Sequence, residues 1–444
     1  MTTRKTIILV LATAVFILGS YLFNNHNPFT ANAEPEQITI PVEIAPAAGS
    51  AMKNSDEQIA FWQQKVLRDD RDYISLTYLG QAYLQKGRET GDAAAYGRAQ
   101  AALEQALTIN PNYELTLSYL SVTQIAQHDF AGALATAQRV YEFDPGALQA
   151  LATIGDASLE LGRYEEAQAA YETLLAQAPG AAVFSRAARL AWVRGDASAA
   201  ISWMQQAVED AKEGGLTGER LAWYQFQLGE LYFKTGDVEA AQEQYAIARQ
   251  TWPDYYLVLV GEGKVAAARG DFEQAIALYE RLVAHLPQPD FVAALGDFYA
   301  LAGDETAAQE LYDTVEFIAN LETDDQALVG RQLALFYANH GINLNSALAA
   351  AEAELASRPD VYGYDVLAWT LFKNGRLDEA AAASEQALQL GTQEALFFYH
   401  AGMIAAAQGN NEQATQHLNH ALELNPHFDF LQAQIARETL ESLP

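Results

Sequence analysis

Residues 228–253 read LGELYFKTGDVEAAQEQYAIARQTWP, and this stretch decides the fold. Small and apolar residues recur at helical spacing on both sides of Gly236-Asp237, and Pro253 closes the stretch. A Gly-Asp pair is typical of a turn between helices, and proline ends a helix because it lacks a backbone donor. The stretch therefore predicts two amphipathic helices joined by a tight turn.

Copies of this pattern follow one another along most of the chain, and we number them units one to ten. The prolines that close successive units at a spacing of 34 residues are Pro111, Pro145 and Pro179, and then Pro253 and Pro287. The glycines that mark the turn inside units one and three to ten are Gly87, Gly162, Gly195, Gly236, Gly270, Gly303, Gly341, Gly375 and Gly409. Residues equivalent to Gly229 and Ala241 are small, which allows close helix packing, and large residues such as Tyr245 fill the gaps.

This pattern resembles the tetratricopeptide repeat, a helix–turn–helix unit of about 34 residues. The resemblance implies an all-α fold, a right-handed superhelical α-solenoid of antiparallel helix pairs, because one unit alone cannot bury both its faces. It also implies that the first helix of each unit lines a concave surface where peptides bind. Units two and eight depart most from the pattern. Unit one has seven extra residues between Gly87 and Ala99, which we expect to lengthen its second helix from an N-cap at Asp92.

The sequence divides into five segments. They are a signal peptide or signal-anchor at 1–33, a flexible linker at 34–54, a capping helix at 55–72, the repeats at 73–426 and a second capping helix at 427–444. Ser55 and Gln58 have the spacing of a capping box at the first helix. In the last helix the pattern predicts Ile435 inward and Gln432 outward, together with Phe428, Leu431 and Leu440 inward.

The N-terminus reads as an export segment. Arg4 and Lys5 precede an apolar run at residues 6–23, and Ala31-Asn32-Ala33 fits a cleavage site. The run is long for a cleaved signal and slightly short for a full membrane span, so an uncleaved anchor and a released form both remain open. In either case the basic start predicts that the remaining chain faces the extracytoplasmic side, most simply in a bacterium.

Composition excludes several classes of function. The formal charge is −31, which disfavours nucleic acid as a partner. The absence of cysteine excludes disulfides and thiolate chemistry. We find no phosphate-binding loop, metalloprotease motif or nucleophile elbow, so we expect no catalytic residues, no cofactor and no enzymatic activity. His417 and His420 share a helix face, but a third ligand is missing, so we expect a polar surface rather than a metal site.

Cations and aromatic residues coincide on the predicted concave face of units four to six. The family resemblance places these residues there: Arg189, Trp192, Trp223, Phe226, Glu230, Phe233 and Lys264, with Lys234 beside them. Such residue types dominate protein-binding hot spots. The groove predicts a protein or peptide partner with an acidic segment, a free C-terminal carboxylate or bulky apolar anchors. The alternative is that the aromatic residues pack between helices, since aromatic stripes at helical spacing are usually core.

A second candidate patch lies in units nine and ten. It consists of Tyr362, Asp365, Trp369, Phe372, Lys373 and Tyr399. Together the patches predict a non-enzymatic interaction scaffold. The alternative is a groove that binds a small molecule or glycan, or that carries an unrecognised hydrolase-like activity.

Overall fold

The computed structural model describes residues 54–321 and 330–444, and it places 22 helices and no strand in these two ranges. The predicted leader at residues 1–33 and nearly all of the predicted linker lie outside them. Within them, no helix combines the length and the apolarity that crossing a membrane requires. The all-α superhelical fold predicted from the repeats is confirmed.

Helix α1 (Ser55–Arg68) precedes ten helix pairs, which are units one to ten. The first helices of the units are α2 (Tyr73–Thr90), α4 (Glu114–Ala126), α6 (Leu148–Glu160), α8 (Ala181–Val193), α10 (Gly218–Lys234), α12 (Tyr256–Ala268), α14 (Pro289–Leu301), α16 (Gly330–His340), α18 (Val361–Lys373) and α20 (Ala395–Ala407). The second helices are α3 (Ala93–Ile109), α5 (Phe130–Phe143), α7 (Tyr164–Gln177), α9 (Ala197–Glu213), α11 (Val238–Thr251), α13 (Phe272–His285), α15 (Glu305–Leu321), α17 (Leu344–Ser357), α19 (Leu377–Leu388) and α21 (Asn411–Leu424). Helix α22 (Gln432–Ser442) ends the chain.

The Gly-Asp pair forms the turn inside a unit. Gly236 has a φ of 77°, a conformation that glycine adopts without steric cost. The carboxylate of Asp237 then accepts a hydrogen bond of 3.0 Å from the Ala240 N–H and caps α11. Unit two lacks the glycine, and His128 takes the same left-handed conformation there, with a φ of 61°. His128 thus occupies the turn position that glycine holds in the other units.

Small residues allow the two helices of a unit to touch. A Cβ atom at Gly229 would lie 2.6 Å from the ring of Tyr245, closer than real Cβ contacts allow. Tyr245 is fully buried in return. The interior is packed as densely as an organic crystal, so the missing methyl group at Gly229 is what admits the tyrosine ring.

Three local expectations are changed by the structure. The N-cap of α1 is Asn54, whose side chain accepts the Glu57 N–H, while Ser55 is buried and donates to Glu89. The extra residues of unit one lengthen both helices, to 18 and 17 residues, although Asp92 does cap the second. Gly87 lies inside the first of these helices, and Gly91, with a φ of 71°, forms the turn in its place.

Helix α22 shows a different face from the predicted one. Gln432 is buried, because its side chain accepts a hydrogen bond of 2.6 Å from the Tyr399 hydroxyl. Ile435 is 39% exposed instead of inward. The side facing the repeats is formed by Gln432, Ala433 and Ala436.

Two superhelical turns of the solenoid rest directly on one another. The Gln288 side chain, before unit seven, donates to the Gly91 carbonyl at the turn of unit one over 3.1 Å. Thr392, before unit ten, donates over 2.5 Å to the Val193 carbonyl in unit four. Asn425, after unit ten, donates over 3.0 Å to the Phe233 carbonyl in unit five. Six units therefore complete one turn, and we call this line of contacts the seam.

Close approach of the two backbones continues along the seam. The carbonyls of Pro359 and Gly391 occupy the space that a Cβ atom would need at Gly162 and Gly195. The hydroxyl of Tyr164 accepts a hydrogen bond of 2.9 Å from the Val361 N–H. The tight turns between the two helices of units in the first superhelical turn thus pack against the loops that precede units in the second superhelical turn.

Candidate interaction surface

The eight predicted groove residues fall into three groups in the structure. Arg189, Trp192 and Lys234 lie at the seam. Glu230, Phe233 and Lys264 form a contact between the first helices of units five and six. Trp223 and Phe226 belong to the aromatic packing of unit five. Nothing in the structure tests whether these residues bind a partner, so the binding role stays a prediction.

At the seam, the cations of the first turn meet carboxylates that are nearly buried. Arg189 pairs with Glu160, and Arg358 of the second turn pairs with the same carboxylate. Lys234 lies 2.7 Å from the carboxylate of Glu394 and 5.1 Å from the ring centre of Trp192. Trp192 itself is only 4% exposed. The predicted cations therefore have intramolecular partners.

Burial and the facing carboxylate oppose each other at Lys234. Burial lowers the pKa of the ammonium group, but Glu394, Tyr362 and Glu230 together outweigh this effect and raise the pKa above its usual value. The side chain is consequently charged at every physiological pH. Its Nζ atom joins an aromatic ring of unit four to an acid just before unit ten.

The seam brings the two predicted patches together. Tyr362 of unit nine lies beside Lys234, Glu394 and Trp192, and burial raises the pKa of its hydroxyl group. A small cavity of about 20 Å³ between Arg189, Tyr164 and Tyr362 marks the same place. Residues separated by more than 150 positions in sequence thus form one surface.

Glu230 and Lys264 form an ion pair between neighbouring first helices. The ammonium nitrogen lies 2.7 and 2.9 Å from the two carboxylate oxygens, and Tyr245 donates a hydrogen bond of 2.6 Å to the same group. Burial raises the pKa of Glu230, but Lys264, Tyr245 and Lys234 together more than offset this effect, so the net shift of the pKa is downward. The Lys264 nitrogen also lies 4.8 Å from the ring centre of Phe233.

From unit three onward, the same arrangement recurs along the inner wall in every second unit. An acid on the first helix of an odd-numbered unit meets a base on the first helix of the next unit. The pairs are Asp156–Arg186, Glu230–Lys264, Asp297–His340 and Asp365–His400. In the first three, a tyrosine fifteen residues after the acid donates to it, namely Tyr171, Tyr245 and Tyr312. Arg186 and Lys264 each neutralise one carboxylate of the inner wall in a strongly acidic protein.

Most of the predicted aromatic residues are packed between helices. Phe226 is 5% exposed and lies 5.5 Å from Tyr245 and 6.3 Å from Tyr255. Phe233 is similarly buried, whereas Trp223 is half-buried and contacts Tyr224 edge-on at 5.0 Å. The alternative of packing between helices therefore describes Phe226 and Phe233.

The second patch is also largely internal. Trp369 is 1% exposed and stacks on Phe372 at 4.9 Å, and the Lys373 ammonium nitrogen lies 4.9 Å from the Trp369 ring centre. Asp365 accepts from His400, and Tyr399 is buried. Tyr362 is the member that joins the seam.

The pair of histidines in unit ten flanks an aromatic ring. His420 lies 4.4 Å from the ring of Phe398, and His417 lies 6.0 Å from it. In residues 54–321 and 330–444, no group of three or more His, Asp or Glu side chains has the geometry to hold a metal ion.

Sequence reasoning missed the acids that complete the seam. Glu160 and Glu394 looked like two of many carboxylates, and Arg358 lay outside the candidate patches. These residues matter because units six positions apart are in contact. The repeat pattern contains no information about that contact. The segment after unit ten was expected only to be part of a cap.

Two family models with the same description, Tetratricopeptide repeat, match the chain. One matches residues 226–288, 260–320 and 366–429, and the other matches residues 124–190. A TPR repeat-containing protein of Treponema pallidum (strain Nichols) is 34% identical over 131 residues. That match covers 28% of this chain but only 16% of the relative.

Similar solved structures include a human IFIT1 dimer with PPP-AAAA, at 15% identity and a TM-score of 0.48, covering 72% of this chain and 73% of that one. A tetratricopeptide repeat protein from Parabacteroides merdae ATCC 43184 has 19% identity and a TM-score of 0.33, covering 61% of this chain and 97% of that one. The family assignment depends on the sequence matches. The helix pairs, their Gly-Asp turns and these matches agree, and the chain belongs to the tetratricopeptide repeat family.

Proposed function

We propose that this protein is a non-enzymatic interaction scaffold that binds a protein or peptide partner on its inner surface. Repeats of this family generally mediate protein–protein interaction, and the scaffold is generally not enzymatic. We further propose that it works on the extracytoplasmic side of a membrane, attached through residues 6–23 or released after cleavage. The basic start and apolar run at the N-terminus support this placement.

The exposure of the Arg189 side chain is the main observation that supports a binding surface. Its side chain is 52% exposed, against 35% for Lys234 and 22% for Lys264. Its partner Glu160 also has Arg358, so the guanidinium of Arg189 can turn to an incoming group without leaving a buried carboxylate alone. A guanidinium presents a planar fork that suits a carboxylate, as on an acidic side chain or a free C-terminus.

The other two cations serve the fold. Lys264 and Lys234 neutralise Glu230 and Glu394, and both acids are poorly exposed. Reversing either charge would place two carboxylates together in a buried position, which costs several kcal/mol. A binding defect in such a variant would therefore follow from unfolding, and Arg189 is the residue to test.

We predict that Arg189→Ala weakens partner binding and leaves stability nearly unchanged. A photo-crosslinking residue at exposed Ala182, on the same helix, should capture the partner from membranes in the full-length protein, and Arg189→Ala should reduce that yield at least fivefold. The melting temperatures of the Arg189→Ala variant and the unaltered protein should agree within about 2 °C, because an exposed ion pair contributes little to stability.

Arg163→Ala is the matched control. Arg163 is 50% exposed and also faces an acid, Glu166, but at the start of a second helix. Its loss should not change the crosslinking yield. An equal yield from the Arg189→Ala protein would contradict the proposed surface.

Small-molecule or glycan binding at this surface is not favoured. The cavity beside Arg189 measures about 20 Å³, whereas sites for such ligands usually exceed about 300 Å³. A peptide can lie along a shallow surface, because it gains affinity from a few anchors. Fractionation of cells together with the mass of the mature N-terminus would test the proposed location.

A further inference from the structure

The seven residues between α21 and α22, residues 425–431, cross from unit ten to the units below it. We call this segment the strap. At its beginning, Asn425 is buried and donates to the Phe233 carbonyl of unit five. Near its end, the ring of Phe430 lies 5.5 Å from Phe298 of unit seven. The strap therefore touches units five, seven and ten.

Phe430 is seated among aromatic residues that belong to units five to seven. It packs against the buried clusters that contain Phe226 and Tyr255 on one side and Phe298 and Tyr299 on the other. Phe428 occupies a separate position, 5.3 Å from Tyr399 of unit ten. The two phenylalanines thus anchor the strap to different units.

Asp429 lies between these anchors and is poorly accommodated. Its carboxylate accepts the N–H groups of Leu431 and Gln432 over 2.9 and 2.8 Å. Burial and the nearby charge of Asp297 raise its pKa to about 6. At neutral pH the strap holds an ionised carboxylate in a place that disfavours the charge, and this weakens its attachment.

The seat of the strap is also incompletely filled. A cavity of about 200 Å³ separates Asp429 and Phe430 from Ala267, Gly270 and Phe272 of unit six. At Gly270 the space for a Cβ atom is empty, whereas the equivalent Gly195 touches the second turn. The seam opens at this point and leaves a cleft beside the strap that no protein atom fills.

We propose that the strap is an intramolecular occupant of a peptide-binding seat, and that the partner is an extended segment with an acidic residue between two aromatic ones. The seat consists of the aromatic pocket around Phe298, the ring of Tyr399 and the inner-wall histidines His340 and His400 between them. The strap shows the chemistry that fits: two aromatic anchors and a carboxylate. The inference depends on the proposed function, because it assumes that the inner wall receives a partner.

The test uses a fluorescent peptide with the sequence of residues 425–432, NPHFDFLQ, and the full-length protein. We expect Phe430→Ala to vacate the seat and to bind the peptide at least tenfold more tightly than the unaltered protein does. A peptide with alanine in place of the second phenylalanine should not compete. Ile435→Ala, on the exposed side of α22, is the matched control and should bind as the unaltered protein does.

Hydrogen exchange on the unaltered protein covers the case in which Phe430→Ala does not fold. Saturating peptide should increase exchange at residues 427–431 and leave α21 protected, because the peptide displaces the strap. Unchanged exchange, or equal peptide affinity of the Phe430→Ala and unaltered proteins, would overturn the proposal. Dimerisation of the variant without peptide binding would assign the seat to a second copy and would also overturn it.

The two proposals can fail separately. An unchanged crosslinking yield in the Arg189→Ala protein, together with peptide binding as expected, would remove the Arg189 surface and keep the seat. A reduced crosslinking yield in the Arg189→Ala protein without peptide binding would keep the scaffold function. It would show that the strap does not compete with the partner.

Discussion

At the scale of single residues, the repeat pattern specifies packing much better than it specifies charge. Gly229 and Tyr245 could be assigned from the sequence because their spacing recurs in most units, and the structure places them in contact. The ion pairs could not. Arg189 shares Glu160 with Arg358, which lies 198 residues after that acid. Spacing within a unit contains no information about such a partner.

Gly229→Ala tests the close helix contact. The new methyl group would overlap the Tyr245 ring, and such overpacking costs about 1–3 kcal/mol. Urea denaturation should show the corresponding loss in the free energy of unfolding. Gly97→Ala is the control, since Gly97 is also inside a helix but has no atom within 4 Å of the added Cβ. That change should stabilise the protein by about 0.5–1 kcal/mol, and a loss at both positions would mean that the ring contact is not the cause.

At the scale of helices, the sequence predicts which segments are helical but not how the irregular parts are used. The extra residues of unit one extend α2 as far as Thr90, and the following Gly91 reaches the loop before unit seven. Helix α22 turns Gln432 inward because Tyr399 offers a hydrogen bond. Hydrophobic periodicity favoured Ile435 there, since it does not register a buried polar partner.

Gly195→Ala tests the contact between helical turns at the seam. Gly195 has a φ of 81°, and the Gly391 carbonyl fills the space beside it. Gly375 has a φ of 76° with nothing near it, so Gly375→Ala measures the backbone strain alone, about 1 kcal/mol. We expect Gly195→Ala to lose at least about 1 kcal/mol more. Its radius of gyration in solution scattering should also increase. Equal losses would show that the seam is not in contact there.

At the scale of the whole molecule, the number of units per turn is what the sequence does not reveal. Local spacing predicts the superhelix, but whether successive turns touch depends on contacts between residues nearly 200 positions apart. These contacts couple distant units. Ordinary repeat arrays unfold by nearest-neighbour steps, whereas the seam links unit one to unit seven and unit four to unit ten.

Acidification should stabilise the molecule around the strap. The pKa of Asp429 is about 6 in the folded protein and about 4 in an unfolded chain. A raised folded pKa gives stability that is complete below pH 4 and is lost as the pH rises through 6. Burial lowers the pKa of His340, but Asp297, the Phe336 carbonyl and Asp429 together raise it above its usual value, so its contribution to stability has the same sign. We therefore expect the melting temperature to fall between pH 5 and pH 7.

Asp429→Asn should flatten that dependence, since the amide still accepts the two N–H groups but does not ionise. The groups that face this site are Asp297, Tyr312, His340, Tyr399 and His400. Exposed Asp313 provides the control, and Asp313→Asn should leave the slope as it is. A slope that persists in the Asp429→Asn protein would assign the effect to another buried carboxyl, such as Asp360, whose pKa burial also raises.

The seam has a mechanical consequence. An open solenoid behaves as a spring, because tension widens the gap between its coils while the helix pairs stay intact. In this protein the coils already touch, so any lengthening must break the Thr392–Val193 and Asn425–Phe233 hydrogen bonds and the shared clamp at Glu160. These bonds lie side by side and would bear the load together. A pull on one end would reach the other with little extension, as through a strut.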